Sequence, residues 1–176
     1  MGLPRSRTAW LANWFTTDRS LCLHDAWRYA QTAEELKAYL LSKAPKGCEY
    51  LGTADSGNGA RFDELEDTFP AAPFALIERP LNDAIEATSK LAIVAPKSEL
   101  VTRLAELNLQ HHYLPSGVHR TRYKDLSDQL EMGRLHKHLT PTIPFSFARY
   151  ALLDQLRVQV HEEKYLLELT KGKAGY

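Results

Sequence analysis

Sulfur is scarce in this sequence: two cysteines, Cys22 and Cys48, and two methionines in 176 residues. Two thiols cannot make the disulfide framework of a small secreted scaffold, and they fall short of a cysteine-only zinc site. Long apolar runs are also missing. The patch Trp10, Leu11, Trp14 and Phe15 is broken by Asn13 and closed by Asp18–Arg19, too short for a signal-peptide core or a membrane span. Net charge is absent, because Lys+Arg 22 balances Asp+Glu 22. No overall field therefore draws the molecule to DNA or an anionic membrane. Internal repeats, heptads and low-complexity tracts are not visible. Together these absences point to a soluble cytoplasmic protein without a membrane partner.

What is present is average globular composition, 44% hydrophobic and 25% charged. A chain of this length buries about 70% of its extended surface on folding, enough for a core without metals or cross-links. The expectation is a single domain over 1–176, of α/β (or α+β) class. Met1-Gly2-Leu3-Pro4-Arg5-Ser6 matches the bare myristoylation pattern, a short signal that carries little weight.

Periodicity sets the expected elements. Trp10/Trp14 and Leu11/Phe15 are i,i+4 pairs, which predicts an aromatic-faced helix over about 6–16, either core or an appendage. Thr32 and Glu35 form a capping box before Leu36, Tyr39 and Leu40. Cys48–Thr53 reads as extended, Asp55-Ser56-Gly57-Asn58-Gly59 as a turn and Ala60–Leu65 as a returning strand, which makes a hairpin. Apolar runs near 74–77, 91–95 and 110–114, separated by helical patterns over Leu81–Lys90 and after Ser98, predict a βαβ-type centre in a mixed sheet. Lys124–Leu135 reads as a helix with Leu126 and Leu130 turned inward. Ser146 caps another, carrying Phe147, Tyr150 and Leu153. Val158/Val160 and Tyr165/Leu167/Leu169 read as a C-terminal strand pair. Leu91–Pro96 with its following helix is similar in apolar patterning to the late strand–helix unit of STAS-type regulatory domains. The serine-bearing loop that such domains phosphorylate is missing here.

Charge is uneven along the chain. Residues 49–79 are acid-rich (Glu49, Asp55, Asp63, Glu64, Glu66, Asp67, Glu78), whereas 103–149 hold Arg103, Arg120, Arg122, Lys124, Arg134, Lys137 and Arg149. His111, His112, His119, His136 and His138 fall in the same basic stretch. The leading expectation is a binding or regulatory protein. Arg120, Arg122, Lys124, Arg134 and Lys137 would meet phosphates of RNA, DNA or a phosphorylated or acidic protein, and Tyr113 and Tyr123 would stack on bases.

Two rival classes are carried beside it. An enzyme acting on phosphodiesters would use His136 and His138 as acid and base, provided the chain there is extended so that both share a face. An adaptor or homo-oligomer would use Trp10, Trp14 and Phe15 as its contact. Asp154 with Glu162 and Lys164 forms a short nuclease-like pattern of low specificity. Asp55–Gly59 lacks the Lys-Ser/Thr ending of a P-loop, and no Gly-x-Ser-x-Gly is present. The histidines show no familiar metal-ligand spacing, so neither metal nor cofactor is implied.

Overall fold

Every strand pairing in the computed structural model, which describes residues 1–90 and 97–155, is parallel. The elements run α1 Thr8–Trp14, β1 Ser20–His24, α2 Ala33–Lys43, β2 Tyr50–Ala54, α3 Phe62–Thr68, β3 Ala75–Glu78, α4 Leu81–Ser89, α5 Lys97–His112, β4 His119–Arg122, α6 Gln129–Leu139 and α7 Phe147–Gln155. β1 pairs with β2, Ser20 opposite Tyr50, and β3 with β4, Ala75 opposite His119. Parallel neighbours need a crossover rather than a tight turn. α2 makes it between β1 and β2, and α4 with α5 lies between β3 and β4. The chain is an α/β protein.

Residues 1–3 lie alongside β3. Gly2 bridges Ile77, the Met1 amine donates to the Ala75 carbonyl at 2.7 Å, and the Ile77 N–H donates to the Met1 carbonyl at 2.8 Å. A side chain at Gly2 would put its Cβ 3.0 Å from the Ile77 carbonyl oxygen, so the strand would have to give way by a few tenths of an ångström to admit one.

Side-chain alternation distributes the strands between helices on both faces. Cys22, Ala75 and Ile77 pack with Trp10, Trp14, Met132, Leu135 and Tyr150 from α1, α6 and α7. Leu23 and Leu51 pack with Leu36 and Leu40 of α2 and Leu65 of α3. Leu76 joins Phe62, Leu114 and Val118. The capping box at the start of α2 forms: the Glu35 N–H donates to Thr32 Oγ1 at 3.2 Å, and the Glu35 carboxylate accepts from the Gln31 N–H at 2.7 Å.

The aromatic helix is core. Trp14 is 1% exposed, stacks on Trp10 at 6.1 Å and meets Tyr150 edge-on at 5.9 Å. Its indole N–H donates to His136 Nδ1 at 3.2 Å, and the Trp10 indole donates to the Leu153 carbonyl at 2.9 Å. Trp10, Trp14 and Phe15 are all buried, which takes them off any partner-binding surface.

Several sequence expectations change. Residues 110–114 are not a strand: Leu100, Leu104, Leu107 and His111 keep a helical stripe, and α5 runs through to His112. The hairpin is absent because β2 pairs with β1, while Phe62–Thr68 is helical. Lys124–Leu135 is split. Asp128 accepts from the Leu130 and Glu131 N–H groups and starts α6 afresh, leaving Leu130 74% exposed and Met132 and Leu135 inward. The expected strand at 91–95, the C-terminal strand pair and the Glu162/Lys164 pattern lie outside the described residues.

Trp14→Ala removes the ring at the centre of this cluster and should cost about 3–5 kcal/mol of stability. Denaturant unfolding would register it as a lower midpoint at unchanged slope. A loss under about 1 kcal/mol would contradict the packing described.

Candidate functional site: a cationic cleft at the strand ends

Parallel strands deliver their carboxyl ends to one edge, where ligands of open α/β sheets bind. β3 ends at Glu78 and leads into Arg79-Pro80, while β4 ends at Arg122 and leads into Tyr123-Lys124. Glu78 lies opposite Arg122 in the register, which sets Arg79 beside Tyr123. The Arg79 guanidinium sits 4.5 Å above the Tyr123 ring. A cleft of about 470 Å³ opens here, walled by Leu3, Leu76, Asn108, His111 and His112 together with Arg79, Arg120, Arg122, Tyr123 and Lys124. Glu78 and Asp83 are its acids.

Each cation is held differently. Arg79 donates through Nη1 to the Arg5 carbonyl, while its buried Nε has no hydrogen-bond partner among the described residues. Arg120 is committed to structure: Nη1 donates to Glu78 at 2.9 Å, and Nη2 donates to the His111 and Leu114 carbonyls at 3.1 and 3.3 Å. Arg122 is 64% exposed and donates from Nε to Asp125 at 2.6 Å, a surface pair that is cheap to exchange. Lys124 is exposed. Arg122 and Lys124 are therefore exposed cations at this edge, Arg79 lies over Tyr123, and Arg120 braces the wall.

His111 lies at the base of the cleft. It is 5% exposed, its Nε2 has no partner among the described residues, and its ring packs on Gly59 so closely that a Cβ there would collide with it. Burial, then the Met1 amine and Arg120, push its pKa down to about 4. The ring is neutral near pH 7.

The edge also concentrates unusual backbone. Arg5, Arg7 and Asp25 are the non-glycine residues with positive φ among those described, at 66°, 61° and 53°. Thr8 Oγ1 lies 3.1 Å from His24 Nε2, which ties the start of α1 to the end of β1. Arg7 pairs with Asp154 at 3.1 Å and covers the Trp10 ring at 4.4 Å. Such conformations cost about 1 kcal/mol or more each and gather where surrounding structure overrules them.

The structure brings Arg120, Arg122, Tyr123 and Lys124 together and leaves the other expected residues elsewhere. Tyr113 is 80% exposed beyond the end of α5. Arg134 pairs with Glu131 and, like Lys137, is exposed on α6, outside the cleft. His136 and His138 are not an acid–base pair, because α6 is a helix and turns residues two apart to different sides. His136 is buried, with the Trp14 indole on Nδ1 and the Ile143 carbonyl 2.8 Å from Nε2, so both ring nitrogens are spent. His138 stacks on His119 at 5.0 Å, its Nε2 3.1 Å from the Phe74 carbonyl. Asp55 and Asn58 are also structural, accepting from the Ala26 N–H and the Trp27 indole.

Sequence reasoning missed Arg79, which it grouped with the acidic stretch. The signal was its position two residues after the apolar run Phe74-Ala75-Leu76-Ile77, at the carboxyl end of a parallel strand. No family model matches this chain, and no curated protein matches it either.

Neutral His111 makes stability pH-dependent. Its folded pKa lies below the ordinary 6.5, so the unfolded chain takes up the proton first. Stability should fall as pH drops from 6.5 towards about 4. His111→Phe should flatten that portion of the profile in urea titrations, and an unchanged profile would contradict the assignment. Gly59→Ala should cost about 1–3 kcal/mol through its clash with the ring.

Proposed function

We propose that this chain binds a phosphate-bearing small molecule in the cleft at the ends of β3 and β4. The observation that carries the reading is the convergence of Arg79, Arg122 and Lys124 with Tyr123 around one concavity. Its volume of about 470 Å³ falls within the range of small-ligand pockets, roughly 300–1,000 Å³. Arginine suits the task because its planar fork meets two phosphate oxygens at once. Arg79 brings its guanidinium, set over the Tyr123 ring, and the exposed Arg122 exchanges its Asp125 pairing for the ligand. Lys124 adds a mobile point charge.

A nucleic-acid strand is disfavoured as the ligand. Of the basic residues expected to track a polyanion, Arg134 and Lys137 lie on α6 outside the cleft, and a long strand needs a continuous band of cations. The reading is one of binding, in a reducing compartment such as the cytoplasm, where Cys22 and Cys48 stay free thiols.

Calorimetric titration with inorganic pyrophosphate and with a nucleoside monophosphate tests the reading, with a single-stranded RNA oligomer as competitor. Arg122→Glu combined with Lys124→Glu should weaken binding at least about tenfold, near 1.4 kcal/mol. Exposed charges contribute little to folding, so the melting temperature should hold. Affinity should fall with added salt, with a smaller slope in the double variant. Binding that ignores both the substitutions and the salt would refute the assignment.

A further inference from the structure

Helix α7 turns its polar side chains towards the protein. Arg149 donates from Nη2 to the Asn13 and Thr16 carbonyls at 2.6 and 2.5 Å, and Asp154 pairs with Arg7 at 3.1 Å. Tyr150 lies between them in the core, 3% exposed, its hydroxyl donating to the Leu126 carbonyl at 3.0 Å. The other side of the helix carries Phe147, Ala148, Ala151 and Leu152, all exposed, Phe147 at 62% and Leu152 at 61%. Positions i, i+1, i+4 and i+5 share one side of a helix, so the four make a continuous apolar strip. A surface helix ordinarily presents its polar face to water. With Arg149 and Asp154 committed inside, α7 presents the reverse.

The described residues stop at Gln155 of α7, and the next stretch of chain starts at the end of that strip. Over residues 156–176 apolar side chains alternate with polar ones: Val158 and Val160, then Tyr165, Leu167 and Leu169, with His161-Glu162-Glu163-Lys164 between the two sets. A strand pair with one apolar face is marginal alone and needs a helix to pack against. The lengths agree. The nine residues of α7 span about 13 Å, and five extended residues such as Tyr165–Leu169 reach about 17 Å.

We propose that the outer face of α7 is the docking surface for residues 156–176 of the same chain. Val158, Val160, Tyr165, Leu167 and Leu169 fold back over Phe147, Ala148, Ala151 and Leu152. The chain's own segment is favoured over a second copy because it is tethered at Gln155. A short tether holds its local concentration near the millimolar range, far above that of a second molecule in dilute solution.

The test keeps the full chain and places a reporter thiol on the strip with Ala151→Cys. Cys48→Ser removes the competing thiol, and burial pushes the Cys22 thiol up to about 12, which keeps it unreactive at pH 8. Leu167→Ser with Leu169→Ser should then speed alkylation at position 151 at least about tenfold. In a separate protein, Phe147→Ser with Leu152→Ser should speed trypsin cleavage after Lys164 by a similar factor. Both of those side chains are exposed, so the core survives their loss. An unchanged rate in either assay would overturn the proposal. Protection at position 151 that grows with protein concentration would overturn it in favour of a second copy. Neither readout depends on phosphate binding, so this proposal and the proposed function stand or fall separately.

Discussion

Parallel pairing is the constraint from which the rest of the molecule follows. A strand that pairs in parallel must be reached by a crossover, and the crossovers here are helices, while α1, α6 and α7 cover the other face of the strands. That arrangement leaves β3 apolar on both sides, with charged residues at its end and after β4. Arg79, Arg122 and Lys124 are close in space because the pairing of β3 with β4 puts Glu78 opposite Arg122, although more than forty residues of chain separate them.

The two ends of the sheet layer carry different burdens. At the carboxyl edge, left-handed Arg5, Arg7 and Asp25 hold a tight loop in place, supported by the Thr8–His24 contact and by the Arg79 bond to the Arg5 carbonyl. Such support would preorganise the edge for the proposed anion, since donors already fixed need not be ordered when a ligand arrives. In the interior, α1 does the anchoring. Trp10, Trp14 and Phe15 fill the space between the strands and α6 and α7, and His136 serves that core as a hydrogen-bond partner for Trp14.

Much of the helical half was legible in the sequence, because helices announce themselves through local signals. The Thr32–Glu35 box, the Leu81–Lys90 stretch and Ser146, which accepts from the Arg149 N–H at 3.2 Å, all did so. Strands did less well. β3 was visible as an apolar run, but β4, His-Arg-Thr-Arg, is an edge strand whose charged side chains hid it inside a basic stretch. β1 is also short, and a parallel partner thirty residues away leaves no local mark. The site was half legible for the same reason. Arg120, Arg122 and Lys124 were picked out by charge alone, whereas Arg79 becomes meaningful only once the β3–β4 register is known. His136 and His138 misled because their attraction as a pair required an extended backbone, and α6 is helical.

We place the proposed anion-binding cleft at the ends of β3 and β4, with Arg79 at its heart. The most direct measurement follows arginine Nε–H signals by NMR while a nucleoside monophosphate is titrated into the wild-type protein. Binding in the cleft should give large, saturable shifts for Arg79 and Arg122, a smaller one for Arg120, and none for Arg134 on α6. Shifts that are absent, or equal and non-saturating across all four, would contradict it.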